Sequence, residues 1–134
     1  MNARVLAPGA ATAPALVLSE PLSLWGGLDS ATGELIDAHH PQRGATVGGR
    51  VLVMPAGRGS SSSSSTLAEA ARAGTAPAAI VLGEPDVILA IGAAVAEELY
   101  GIRIPVVVVP PAELAAIRDG VPVTITEAGE VTVG

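Results

Sequence analysis

Val106-Val107-Val108-Val109 stands between Pro105 and Pro110 with no polar residue inside it. A strand wetted on one face alternates apolar and polar side chains; one without alternation is covered on both faces. The run Ile104–Val109 is therefore expected as a central strand of a layered sheet. Further strands are expected at Arg4–Leu6, Ala15–Leu18, Glu34–Ile36, Arg50–Met54 and Ala78–Leu82, with a closing pair, Val123–Thr126 and Val131–Val133, around Ala128-Gly129. Pro8-Gly9, Gly26-Gly27, Thr32-Gly33, His40-Pro41 and Gly48-Gly49 break the chain between the early strands. Helices are expected near Ser64–Ala73, over about Asp86–Leu99, and over Ala112–Arg118. In the second, Ile88, Ile91, Val95 and Leu99 recur at spacings of three and four, an amphipathic stripe. Pro85 suits its start and Gly101 its end. A β-rich first half wrapped onto a β/α second half gives an α/β fold class with three layers, β/β/α, rather than a doubly wound nucleotide fold.

The chain has 134 residues, read as one domain over residues 1–134. A domain of that size buries roughly 65–70% of its unfolded surface. Phe is absent and Trp25 and Tyr100 are the only aromatics, so the core must be aliphatic. Net charge is −6, and all seven basic residues are arginine. With no basic stripe and almost no aromatic surface, nucleic-acid binding is not expected. The absence of lysine excludes a Schiff base and a P-loop lysine. The absence of cysteine excludes disulfides and thiolate ligands on this chain, and agrees with a cytoplasmic location. No apolar run approaches the roughly 20 residues that span a membrane.

Residues 57–65 read Gly-Arg-Gly followed by six serines. Composition alone reads this as a flexible linker. Its position does not: Val51–Met54 is a strand candidate before it and Thr66–Arg72 is helix-like after it. Strand, glycine-rich turn, hydroxyls and helix start bring serine side chains and free N–H groups to the positive end of a helix dipole. Helix capping accounts for one or two hydroxyls, but not for Gly57 and Gly59, which suggest backbone brought close to something. The run is neither a Walker A loop nor a nucleophile elbow.

Other chemistry-bearing residues are few. His39 and His40, in a turn with Asp37 and Pro41, read as surface residues, and their spacing fits no standard metal site. Trp25, beside Gly26 and Gly27, reads as a core plug or as the anchor of a partner interface. Glu97 and Glu98 read as solvated.

The string Leu22-Ser23-Leu24-Trp25-Gly26-Gly27-Leu28-Asp29, then Thr32-Gly33, Ile36-Asp37, His40-Pro41 and Gly44, resembles the small swivel subunit of aconitase X. So do Gly49–Val53, Gly57-Arg58-Gly59-Ser60-Ser61, Ala76–Val81 and Ile104–Val107, in order along nearly the whole chain. The resemblance implies the swivelling β/β/α domain of the aconitase superfamily. It implies a separately encoded large subunit holding an iron or iron–sulfur centre, with no cofactor bound by this chain alone. It implies a dehydratase (hydro-lyase). Bacterial members act on cis-3-hydroxy-L-proline, giving Δ1-pyrroline-2-carboxylate; archaeal two-subunit members act on (R)-5-phosphomevalonate, giving trans-anhydromevalonate 5-phosphate.

The same resemblance puts a catalytic base, working as alkoxide, at Ser60, directly after Gly59. Ser61 and Gly59 would bind substrate, with Arg58 as the nearest cation, and Ser62 to Ser65 would be turn and capping residues. Aconitase proper has an arginine where this chain has Ser62, which argues against citrate as substrate. The arginine-only, alanine-rich composition suits a bacterial source, hence cis-3-hydroxy-L-proline, with phosphomevalonate as the alternative. A non-catalytic partner domain and a stand-alone serine hydrolase are the rival readings from other classes.

Overall fold

The computed structural model describes residues 1–134. The strands are β1 (Arg4–Ala7), β2 (Ala11–Val17), β3 (Leu28–Asp29), β4 (Glu34–Leu35), β5 (Val51–Met54), β6 (Ala79–Leu82), β7 (Val106–Val108), β8 (Pro122–Ile125) and β9 (Val131–Val133). The helical segments are the single turn α1 (Leu24–Gly27), α2 (Ser62–Ala73), α3 (Val87–Tyr100) and the short α4 (Pro111–Leu114). Gly74 and Gly101 end α2 and α3 in the left-handed conformation, which glycine adopts without a Cβ penalty.

Seven strands form one sheet in the order β1-β7-β6-β5-β2-β8-β9. The stretch β2, β5, β6, β7 is parallel, and β1, β8 and β9 add antiparallel. The sheet folds over until its ends meet. Asn2 bridges Glu130, Ala3 N–H donates to Gly129 O (2.9 Å), and Val131 N–H donates to Met1 O (2.8 Å). The two outermost strands thus partner each other through their flanking residues, leaving little edge to template aggregation.

Two apolar clusters result. Ala15, Val51, Val53, Ala79, Val81, Val107 and Val123 fill the space between the two β layers. Leu16, Leu52, Met54, Ile80, Leu82 and Val106 face the other way, onto Leu67, Ala70, Leu89, Ala93 and Ala96 of α2 and α3. The central strands are buried on both faces, which is why they show no alternation. The layers are β, β and α, as the valine run predicts.

Local differences have physical causes. β2 begins at Ala11, before Pro14, because Pro14 sits opposite Pro122 in the β2–β8 ladder, where the missing N–H is tolerated. α2 begins at Ser62, so Ser62–Ser65 are its first turn rather than loop. α3 is rotated from expectation. It buries Leu89, Gly92, Ala93 and Ala96, while Ile91 and Leu99 are 50% and 65% exposed. A Cβ on Gly92 would lie 2.9 Å from Ser64 O. At that separation only the smallest residues fit between α2 and α3, so the large ones turn outward.

Candidate active site

β5 delivers the glycine–serine loop. Its four residues are buried, and Pro55 ends it at the carboxyl edge of the parallel strands, where crevices of open α/β sheets lie. Residues 56–61 then lead into α2. The neighbouring loop, from β6 through Gly83 to Asp86, leads into α3. Gly83 N–H donates to Pro55 O (3.1 Å), tying the two loops together. The amino ends of α2 and α3 thus point at one crevice, whose walls are Leu22, Leu24, Gly57, Arg58, Gly59, Ser60, Ser63, Asp86, Ile88 and Leu89.

The segment around Leu22–Trp25 clasps the loop at both ends. Leu22 bridges Gly57, and its carbonyl accepts the Arg58 N–H (3.1 Å). At the other end Ser63 Oγ accepts the Trp25 N–H (3.1 Å) and lies 3.5 Å from Ser23 Oγ, which also donates to Trp25 O (3.1 Å). Ser63 is only 3% exposed. It is the buried hydroxyl of the six, spent on structure.

Ser60 stands where the chain enters α2. Its Oγ accepts the Ser62 N–H at 3.3 Å, and its carbonyl accepts the Ser63 N–H at 2.9 Å. The capping of α2 therefore falls to Ser60, while Ser61 makes no side-chain cap. A negative charge on Ser60 Oγ would face a backbone donor at the positive end of a twelve-residue helix. A distance of 3.3 Å is longer than the roughly 2.7–3.1 Å of a formed oxyanion contact. Such contacts commonly tighten only when a site closes.

Of the residues singled out from sequence, Arg58, Gly59 and Ser60 line the crevice, and Ser61 is exposed and does not. Gly57 meets its expectation of close approach, because a Cβ there would lie 2.1 Å from Asp86 Oδ2; Gly59 does not, since a Cβ on it would meet nothing within 4 Å. Trp25 is 59% exposed, so it is no core plug. His40 departs from the surface reading: it is 6% exposed, its Nδ1 accepts the Gln42 N–H (3.0 Å) and its Nε2 faces Glu20 O (3.1 Å). Both ring nitrogens are engaged in holding the loop before β5. No group of three or more His, Cys, Asp or Glu side chains comes together to hold a metal.

Sequence reading missed Asp86 as a wall of the site. Its Oδ1 accepts the Ile88 and Leu89 N–H groups (2.9 and 3.1 Å), capping α3. The signal was Pro85-Asp86 ahead of an apolar run, a helix-start pattern, but nothing local says that this cap abuts the serine loop. The largest cavity lies further along the same edge. It is about 790 Å³ of space open to solvent, lined by Val17, Leu18, Met54, Pro111 and Leu114 with Glu84 as its one charge. It contains no hydroxyl; the serine loop instead surrounds a tightly closed depression of only about 170 Å³.

Comparison with known proteins places this architecture. A cis-3-hydroxy-L-proline dehydratase of Pseudomonas aeruginosa is 50% identical over 103 residues, covering 77% of this chain but 18% of that protein. A phosphomevalonate dehydratase small subunit of Methanothermobacter thermautotrophicus is 42% identical over 96 residues, covering 72% of this chain and 73% of that one. The chain thus spans under a fifth of the first relative and almost three quarters of the second. A crystal structure of Thermococcus kodakaraensis aconitase X in its holo form superposes with a TM-score of 0.87 at 32% identity, over 99% of this chain and 96% of that chain. Residues 1–133 match the aconitase X swivel domain as a family. With the β/β/α layering and the serine loop at the carboxyl edge of the sheet, that match over nearly every residue means that the chain belongs to the aconitase X swivel-domain family.

Proposed function

We propose that this chain is the small subunit of a two-chain aconitase X-type dehydratase and carries its catalytic base, Ser60. The observation that carries the reading is Ser60 Oγ just ahead of the first turn of α2, accepting the Ser62 N–H. A serine alkoxide is a competent base only where its charge is held by fixed donors in a site closed to water. On a 3-hydroxy acid it would take the proton α to the carboxylate while the hydroxyl on the β carbon departs. Arg58 and Gly59, lining the same crevice, are the groups for the substrate carboxylate, and Ser61, exposed outside it, is the further hydroxyl proposed to bind substrate. The iron or iron–sulfur centre expected for such an enzyme finds no ligand set here and is assigned to the large subunit. The reading carries a cytoplasmic location.

For substrate we favour cis-3-hydroxy-L-proline, dehydrated to Δ1-pyrroline-2-carboxylate. Arg58 is the one cation in the crevice wall, enough for one carboxylate; a phosphate dianion would call for further cationic groups. The 50% identical relative is named for that substrate. Phosphomevalonate is the second reading, favoured by a relative named a phosphomevalonate dehydratase small subunit, of which this chain covers 73%.

The test is to co-express the chain with an aconitase X large subunit from the same genome and assay the complex on both substrates. Ser60→Ala should assemble normally and lose about 10²–10⁴-fold in turnover, the range of a general base. Full turnover by the assembled variant would make the chain a non-catalytic partner domain.

A further inference from the structure

The one tryptophan of this chain stands beside the serine loop, 59% exposed. Its place is set by backbone contacts, since its N–H is held by buried Ser63. Across the loop, the first turns of α3 put Ile88 and Leu89 into the crevice wall. The same turns hold Val87 and Ile91 out to solvent, 69% and 50% exposed. They lie one turn apart on one face. An α3 whose buried face is Gly92, Ala93 and Ala96 while valine and isoleucine face water is apolar on the wrong side for a free chain.

We propose that Trp25, Val87 and Ile91 are the seat on which the large chain of the dehydratase docks, closing over Ser60 from both flanks. This rests on the function proposed above. Two observations name the occupant. Ser60 is only partly buried, and a body that excludes water from it has to cover the groups on either side of its loop. The Pseudomonas aeruginosa relative matches this chain over 18% of its length, so about four fifths of that one polypeptide is available to be such a body. A second copy of this chain fits worse. A symmetric pair through this face would bury both serine loops against each other, leaving no room for substrate. The occupant is therefore expected to meet the seat with an apolar surface framing its own half of the site. Trp25 would be the central anchor, as tryptophan commonly is.

The chain, carrying 5-fluorotryptophan at its single tryptophan, is titrated with the unlabelled large chain and followed by fluorine NMR. Binding isotherms and turnover are then measured for Val87→Asp, Ile91→Asp and Leu99→Asp. The fluorine resonance should shift on binding. Val87→Asp and Ile91→Asp should each raise Kd about tenfold or more, the scale of a charge placed in an apolar interface centre, with kcat unchanged at saturating large chain. Leu99, twelve residues beyond Val87 and eight beyond Ile91, and so about 18 and about 12 Å along the helix axis from them, should tolerate aspartate without loss of affinity. An active complex with an unmoved fluorine resonance and wild-type affinity in both Asp variants would overturn the seat and leave the dehydratase reading standing. Self-association of the chain alone that Ile91→Asp abolishes would assign the face to a second copy. A wild-type chain that binds no large subunit would sink both the seat and the function.

Discussion

Gly57 and Asp86 fit together with less than a methyl group to spare: a Cβ on Gly57 would lie 2.1 Å from Asp86 Oδ2 and 3.5 Å from a Leu89 methyl. Asp86 cannot swing aside freely, because its Oδ1 caps α3 through two N–H groups. The glycine in front of the serines is thus explained by a helix cap that arrives from 29 residues later in the chain. The two helix starts that frame the crevice are locked to each other at this point.

Gly57→Ala should therefore cost about 1–3 kcal/mol, the usual scale of overpacking, although its backbone is not in the left-handed region. In the double variant with Asp86→Ser, the shorter side chain still caps α3 and frees the space. Urea denaturation should show that pair recovering more than half of the loss. Additive losses in the double-mutant cycle would mean that the two residues do not interact.

Gly92→Ala sets two effects against each other. Replacing a glycine inside a helix gains about 1 kcal/mol in propensity. The new Cβ would meet Ser64 O at 2.9 Å and Ser64 Cα at 3.0 Å, backbone atoms that cannot rotate away. The clash should win, and the variant should unfold at lower denaturant than wild type. Because Ser64 belongs to the first turn of α2, the displacement reaches Ser60, so turnover of the complex should fall as well. A variant as stable as wild type would show that α2 and α3 have slack between them.

The layers were legible in the sequence because β5, β6 and β7 are buried on both faces and so lack polar alternation. The helix ends were legible because Gly74 and Gly101 are local stop signals. Contacts between distant segments were not legible. That Ala3 meets Gly129, or that Asp86 meets Gly57, leaves no periodic trace in either segment. The face of α3 was misread for a related reason. Ile88, Ile91, Val95 and Leu99 form the stronger apolar pattern, but closeness to α2 selects residues by size, and Gly92 and Ala93 win the inside. Ser60 was singled out as the proposed base through family resemblance, not through any local pattern. The spending of Ser63 on Trp25 was not foreseen, since six identical hydroxyls carry no label for which one turns inward.

Gly129 holds the fold-over of the sheet. It has φ +87°, and a Cβ there would lie 2.7 Å from a Val5 methyl and 3.0 Å from Ala3 O. Gly129→Ala combines left-handed strain of about 1–2 kcal/mol with that clash. Since Ala3 N–H bonds Gly129 O, the variant should also loosen the junction of β1 with the β8–β9 hairpin. Amide exchange should rise at Ala3 and Val131 while β5 and β6 stay protected. Uniform loss of protection would instead mean that closure and core unfold as one unit.

Ser63→Ala tests whether the clasp around the loop matters more than the hydroxyls exposed beside it. The substitution removes the acceptor of the Trp25 N–H at a site 3% exposed. A fully buried donor left unpaired costs about 1–3 kcal/mol; the Trp25 N–H is part-buried, so the loss should fall toward the lower end, about 1 kcal/mol. Ser65→Ala, at an exposed position whose side chain caps nothing, should change stability by less than about 0.5 kcal/mol. The same pair separates structure from chemistry. Without its anchor the Trp25 turn should move, reported by faster exchange of the Trp25 amide, and Kd for the large subunit should rise because the docking anchor is no longer preset. Turnover at saturating large subunit should stay near wild type, because Ser60 keeps its own donor from Ser62. A loss of turnover as deep as that of Ser60→Ala, with stability and affinity intact, would mean that the base had been assigned to the wrong serine.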